Sequence, residues 1–287
     1  MRNILVVLCA LAAPLAAKEK VRIYVSLDQD HSAAILEDFE KETGIEIAPE
    51  YDTERSKTVG LVRRLIAEKG RPQADVYWNN ELATTIKLRL AGVLARHVSP
   101  SAADIPDRFK DSEGYWTGFA ARARVLIVNT NLVGPNEMPD SMWDLADEKW
   151  RGKVAMAFPQ TGTTAAHAAA LYTKDPEEAD RYFDALIENR VEWLASNGQT
   201  MRDVGQGRFA FAWTDTDDFN VALRRGWPVK CVFPDKGPDE IGVLYLPNSL
   251  MLIKGGPNPE AAKKLIDWLL RAEIEERLAH SATAQIP

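Results

Sequence analysis

The chain has 287 residues, 46% hydrophobic and 27% charged, enough to build two lobes of ordinary size around real cores. Its formal net charge is −7, and its Lys and Arg residues are scattered instead of clustered. That balance excludes nucleic acid and anionic membrane surfaces as partners.

The opening stretch, MRNILVVLCALAAPLAAKEK, reads as a secretion signal over 1–17. Arg2 gives the positive start, Ile4 to Ala13 the apolar run, and the small residues near Ala17 the exit. The run is too short to span a membrane, so a soluble periplasmic chain is expected. Cys9 lacks the small residue that precedes a lipid-bearing cysteine. Cys231 is then the one cysteine of the mature chain, and no intrachain disulfide is expected.

After that, strands and helices alternate. VRIYVSL is a strand, SAAILEDFEKETG a helix stopped by Gly44, IEIAPEY a strand, SKTVGLVRRLIAEKG a helix, ADVYWNN a strand and ELATTIKLRLAG a helix. A turn-rich break follows before the strand ARARVLIVNT. The second series runs KVAMAF, TTAAHAAALY, EADRYFDALIEN and FAFAW. VLYLPNSLMLIKGG is expected to form a strand pair, and PEAAKKLIDWLLRAEIEERLAH one long amphipathic helix from Pro259. The alternation predicts α/β lobes with mostly parallel sheets flanked by helices.

Ligand contacts in such a fold gather at the strand ends that face the cleft. Five polar stretches follow strands: SLDQDH with Asp28, YDTE, NNE with Asn80 and Glu81, PQTGTT with Thr161 to Thr164, and TDTDD with Asp215 to Asp218. Three aspartates within four residues repel one another unless a positive group or water sits among them. Asp215, Asp217 and Asp218 are hard oxygen donors suited to Fe, Mn, Ca or Mg. The alternative is that Asp218 caps the helix FNVALRRG while a neighbour pairs with an arginine. An extended loop would send Asp215 and Asp217 one way and Asp218 the other.

Thr161, Gly162, Thr163 and Thr164 lead from a strand into a helix, which suits either an anion or ordinary N-capping. Arg122 and Arg124 lie two apart on a strand and project from one face. Arg122 is the better placed to hold an anion, or pairs with a nearby acid. Glu81 is either a ligand or an acid favoured by a helix dipole. Tyr77 is expected inside a buried strand.

The segments FEKETGI (39–45), RPQADVYWNNE (71–81), GYWTGFAARARVLIVNTNLV (114–133), WDLADEKWRGKVAMAFPQTGTT (143–164) and LPNSLMLIKGGPNPEAAKKLIDWLL (246–270) carry a resemblance. In this order they resemble the periplasmic substrate-binding proteins of ABC importers, in the ferric-ion-binding branch. The resemblance implies a two-lobed periplasmic-binding-protein fold whose chain crosses twice, near Ala121–Arg122 and near Gly242. Lobe 1 is then 18–121 with 243–287, and lobe 2 is 122–242. It also implies a monomeric receptor, an ABC permease as partner and a small ligand closed between the lobes.

Within that resemblance, Glu81 matches a glutamate ligand of the ferric binders, Asp28 or Asp30 lies nearer than His31 to the place of their histidine, and the 161–164 segment matches one that holds a small anion, phosphate or carbonate. Where those proteins carry adjacent tyrosines, this chain has Thr216, Asp217 and Asp218. Phenolate chemistry is therefore not carried over, and Glu81, Asp215, Asp217 and Asp218 form the expected metal set, with Asn80, Arg122 and Thr216 beside it. The expected cargo is Fe3+ or another hard cation, with no catalytic cofactor. The alternative is a small organic ligand, such as a sugar phosphate or an amine-bearing solute.

An enzyme is not expected. FAFAWTDTDDF matches the Asp-x-Asp of aspartyl phosphatases only superficially, with too little chain after it. Gly-x-Ser-x-Gly, His-Glu-x-x-His and a phosphate-loop lysine are absent from the sequence.

Overall fold

The computed structural model describes residues 19–27, 29–52, 59–160, 162–281 and 284–287. The expected signal over 1–17, Asp28 and Thr161 lie outside the described residues. Among those described, no helix is long and apolar enough to cross a membrane.

Strand β1 (Lys20–Val25) buries Val21, Ile23, Tyr24 and Val25 completely, as an interior parallel strand covered on both faces requires. It pairs parallel with β2 (Glu46–Tyr51) and β3 (Val76–Asn79). Helices α1 (Gln29–Thr43), α2 (Val59–Ala67) and α3 (Leu82–Leu90) connect and follow them. Ile35, Leu36 and Phe39 of α1 pack with Val76 and Trp78 on one face of the sheet. Leu61, Val62 and Leu65 of α2 and Leu88 of α3 pack with Tyr24 and Tyr77 on the other. Each fully buried Leu or Phe is worth ~1.5–3 kcal/mol, so these two layers hold the first lobe's sheet in place.

Strand β4 (Leu94–Ala95) is short. Strand β5 (Thr117–Asn129) joins the two lobes. The second lobe holds β6 (Val154–Ala157), α4 (Gly162–Lys174), α5 (Pro176–Glu188), β7 (Glu192–Leu194), α6 (Asn197–Gly205), β8 (Phe211–Asp215), α7 (Thr216–Arg224) and β9 (Val229–Val232). Strand β10 (Tyr245–Ile253) then returns to the first lobe, followed by α8 (Pro259–Leu269) and α9 (Ala272–His280). The sheet order is β2-β1-β3-β10-β5-β8-β6-β7, with β4 beside β10 and β9 beside β5. The βα-alternating strands pair parallel. Every ladder made by β5 or β10 is antiparallel. Along β5, Thr117 to Ala123 pair with β10, and Arg124 to Val128 pair with β8. One strand therefore belongs to both lobes.

Two expectations are corrected. VLYLPNSLMLIKGG forms one strand, β10, not a pair: Pro247-Asn248, which reads as a turn, is a register shift within it. The long C-terminal helix is two helices, broken at Arg271, whose backbone is extended (ψ 139°). The kink lets Ile274 and Leu278 reach the core, and Arg271 is held there by Glu42 and Glu273. Tertiary packing outweighs helix propensity at a place where neither Gly nor Pro marks a stop.

Candidate functional site

Strand β8 ends at Asp215 and α7 begins at Thr216, which puts Asp217 and Asp218 in the first turn of a helix, where its dipole favours acids. A helical start turns successive side chains by about 100° instead of the half-turn of a strand. The expected split between Asp215/Asp217 and Asp218 is thereby corrected: each of the three aspartates places a carboxylate oxygen within 4.8 Å of the others. Nor does Asp218 cap the helix. Asp215 holds the N-cap position without a side-chain capping bond, and Asp218 Oδ2 accepts from Thr214 Oγ1 at 3.0 Å.

Asp215 is 2% exposed, and both of its oxygens are engaged. Oδ1 accepts from Arg124 Nη1 at 2.7 Å; Oδ2 accepts from Thr163 Oγ1 at 2.6 Å and from Asn197 Nδ2 at 3.3 Å. Burial opposes its charge, but Arg124 and Arg122 together with these bonds hold its pKa below the usual carboxylate range. It anchors the site and has little capacity left for a cation. Asp217 and Asp218 are different. Burial pushes both upward, Asp218 to about 7 with the charges of Asp217 and Asp215 adding to the rise. The Asp217 side chain keeps 24% exposure. These two are the oxygen donors open to a cation, and near neutral pH a bound cation displaces a proton from Asp218.

Arg122 lies on the same face of β5 as Arg124 and connects the lobes. Its Nη2 donates to the Asn80 carbonyl at 2.8 Å, while Nη1 lies 3.6 Å from Asp217 Oδ2 and 3.9 Å from Asp215 Oδ2. Burial works against its charge, but Asp217, Asp215 and Asp218 outweigh it and raise its pKa. Of the two expected roles, pairing with acids is the one made here. Asn80 is further tied by its Nδ2 donating to the Ser26 carbonyl at 3.1 Å.

Glu81 holds the N-cap position of α3 without a side-chain capping bond, at the helix end where the dipole favours an acid. Its carboxyl is pushed up by burial and drawn back by the charge of Arg122, which ties it electrostatically to the aspartate cluster. Tyr77 is buried in β3 as expected, with its hydroxyl 2.6 Å from Ser26 Oγ.

The threonines need correction. Thr163 donates to Asp215, and the Thr164 hydroxyl donates to Asn197 Oδ1 at 3.0 Å, so both hydroxyls face inward, not toward a ligand. Thr216 Oγ1 accepts from the Ala123 N–H at 3.2 Å and fastens α7 to β5. Gly162 is the exposed member, with φ +65° and open space where a Cβ would stand.

Sequence reasoning missed Asn197, which bridges Thr163, Thr164 and Asp215, and it ranked Arg124 below Arg122. Arg124 is fully buried, lies over the Trp213 ring at 5.6 Å and leaves Nε and Nη2 without a hydrogen bond. The Ser196 cap before α6 is the one local signal near Asn197. The rest depends on which strands lie side by side. Cavities of about 500, 540 and 380 Å³ lie elsewhere, with linings that share no residue with this cluster. Volume is the poorer guide here, because Arg122 spans the space between Asn80 and the aspartates.

The family model for bacterial extracellular solute-binding proteins matches residues 34–287. The iron uptake protein A1 of Synechocystis sp. is 23% identical over 92% of this chain and 74% of its own. A putative 2-aminoethylphosphonate-binding periplasmic protein of Salmonella typhi is 28% identical over 76% of this chain, which spans only 64% of that relative's length. Among solved structures, iron-bound HitA from Pseudomonas aeruginosa superposes with a TM-score of 0.81 at 22% identity, covering 94% of this chain and 86% of that one. That likeness shows the two-lobed fold.

Proposed function

Because the chain belongs to the bacterial extracellular solute-binding proteins, we propose that it is the exported, monomeric receptor of an ABC importer, carrying a hard cation, ferric iron, to its permease. The observation that carries this reading is the convergence of Asp215, Asp217 and Asp218 within 4.8 Å at the end of β8. Asp217 and Asp218 supply the open oxygens, Glu81 closes from the first lobe, and Asp215 fixes the frame. Four carboxylates face the two guanidiniums of Arg122 and Arg124, which leaves the site acidic. A small anion such as phosphate or carbonate is supported by the α4 start at Gly162, where helix N–H groups lack intrahelical partners. The lobes are 18–121 with 243–287 and 122–242; the change of β5 partner at Ala123/Arg124 supports that division. The cargo is carried, not transformed.

A second reading is favoured by one observation: acids and arginines stand side by side, with Arg122 3.6 Å from Asp217. Such a pairing suits a zwitterion with an ammonium and a phosphonate or phosphate, the class named for the Salmonella relative. Calorimetric titration with ferric citrate and, separately, with 2-aminoethylphosphonate tests the choice. Saturable heat with ferric citrate alone supports iron; saturable heat with the phosphonate alone replaces it.

A further inference from the structure

The joint between the lobes is strained and is held from outside the two strands that form it. On β5, Ala121 pairs with Pro247 and Phe119 with Asn248, so Ala120 is the extra residue of a β-bulge. Its φ is +46°, a left-handed conformation that glycine adopts freely and a residue with a Cβ does not. The partner opposite Ala121 is a proline, which has no N–H to donate. The ladder therefore fails where the chain passes between lobes, and other groups complete it.

Those groups come from the C-terminal part of the chain. The Ala120 N–H donates to Glu275 Oε1 of α9 at 2.7 Å. The Ala121 N–H donates to the Ile286 carbonyl at 2.6 Å, and the Ile286 N–H donates back to the Ala121 carbonyl at 2.7 Å. Asn248 Nδ2 donates both to the Ala120 carbonyl and to Gln285 Oε1, the latter at 2.8 Å. Behind this joint lies a cavity of about 540 Å³ whose lining includes Ala120, Pro247, Glu275 and Ile286. The backbone there has room to rotate without displacing packed core.

We propose that Glu275 and the Gln285–Ile286 segment form a clasp on the interlobe joint, holding the Ala120 bulge and setting the resting angle of the cleft. A receptor whose binding-competent state is a fraction of its population loses apparent affinity by that fraction. The clasp thus tunes affinity from a place that touches no ligand, whatever the cleft carries.

Nitroxide distance measurements on the ligand-free protein test this directly. Labels on Lys87→Cys in α3 and Glu188→Cys in α5, both exposed and on different lobes, in a Cys231→Ser background, report the lobe separation. Ile286→Pro removes the N–H given to Ala121, and Glu275→Ala removes the acceptor for Ala120. Each is expected to add a distance population displaced by more than the width of the parent distribution. Ala120→Gly, which accepts the same φ without strain, is expected to keep the parent distance and to restore it when combined with Glu275→Ala. An unchanged distribution in a folded Glu275→Ala protein overturns the proposal. Where Ile286→Pro fails to fold, Gln285→Ala gives the same readout, and an unchanged distance there also overturns it.

Discussion

The Arg122 guanidinium donates to the Asn80 carbonyl at 2.8 Å, so a side chain from the crossing strand joins the loop after β3 to the face that carries the aspartates. A fixed positive charge stands beside the donors proposed for a cation. At ~4 Å and an effective dielectric near 20, two unit charges interact by about 4 kcal/mol before screening. Arg122→Gln is therefore expected to tighten binding of a bare hard cation by about tenfold or more, measured by competition against a chelator of known affinity. The same change weakens a zwitterionic organic ligand, so the direction of the effect separates the two readings.

Asp217 keeps 24% of its side chain exposed, and its ion pair with Arg122 is a loose one at 3.6 Å. Asp217→Ala is expected to weaken cation binding by ~10–100-fold, the size of one charge-assisted interaction, with a melting temperature close to the parent's. A large drop in melting temperature with affinity intact would assign Asp217 to structure instead.

Asp215 and Thr163 should behave in the opposite way. Asp215→Ala leaves Arg124 buried without its carboxylate and is expected to cost ~3–5 kcal/mol in chemical denaturation. Thr163→Val removes the hydroxyl that donates to Asp215 Oδ2 and is expected to cost ~1–3 kcal/mol. An unaltered unfolding midpoint in Thr163→Val would mean that this hydroxyl is not part of the buried frame.

The convergence of the site was only partly legible in the sequence. The first βα units could be read because their apolar residues recur with clear period, as Ile35, Leu36 and Phe39 do. The acidic run at 215–218 stood out by charge alone. Its convergence did not, since that depends on α7 starting one residue after β8 ends. The inward turn of Thr163 and the bridging by Asn197 arise from α4 and α6 meeting beside β8, a contact between segments far apart in sequence. The continuity of β10 through its register shift was hidden because a Pro-Asn pair ordinarily marks a turn.

His167 links the frame to pH. It packs edge-on to Trp213, and burial, with the charge of Arg124 adding, lowers its pKa to about 3. An unfolded histidine titrates near 6.5, so between about 6.5 and 3 the unfolded chain binds the extra proton. Its contribution to stability is full above pH 6.5 and is lost as pH falls toward 3. His167→Phe is expected to lose less unfolding free energy than the parent between pH 7 and pH 4. Parallel pH dependences in the two proteins would show that His167 does not set the acid limb.

The most direct test of the cargo is native mass spectrometry with elemental analysis on protein purified from an expressing cell's periplasm without added metal or chelator. One equivalent of iron, lost in Asp217→Ala, is the predicted result. A metal-free protein carrying a stoichiometric organic mass would contradict it.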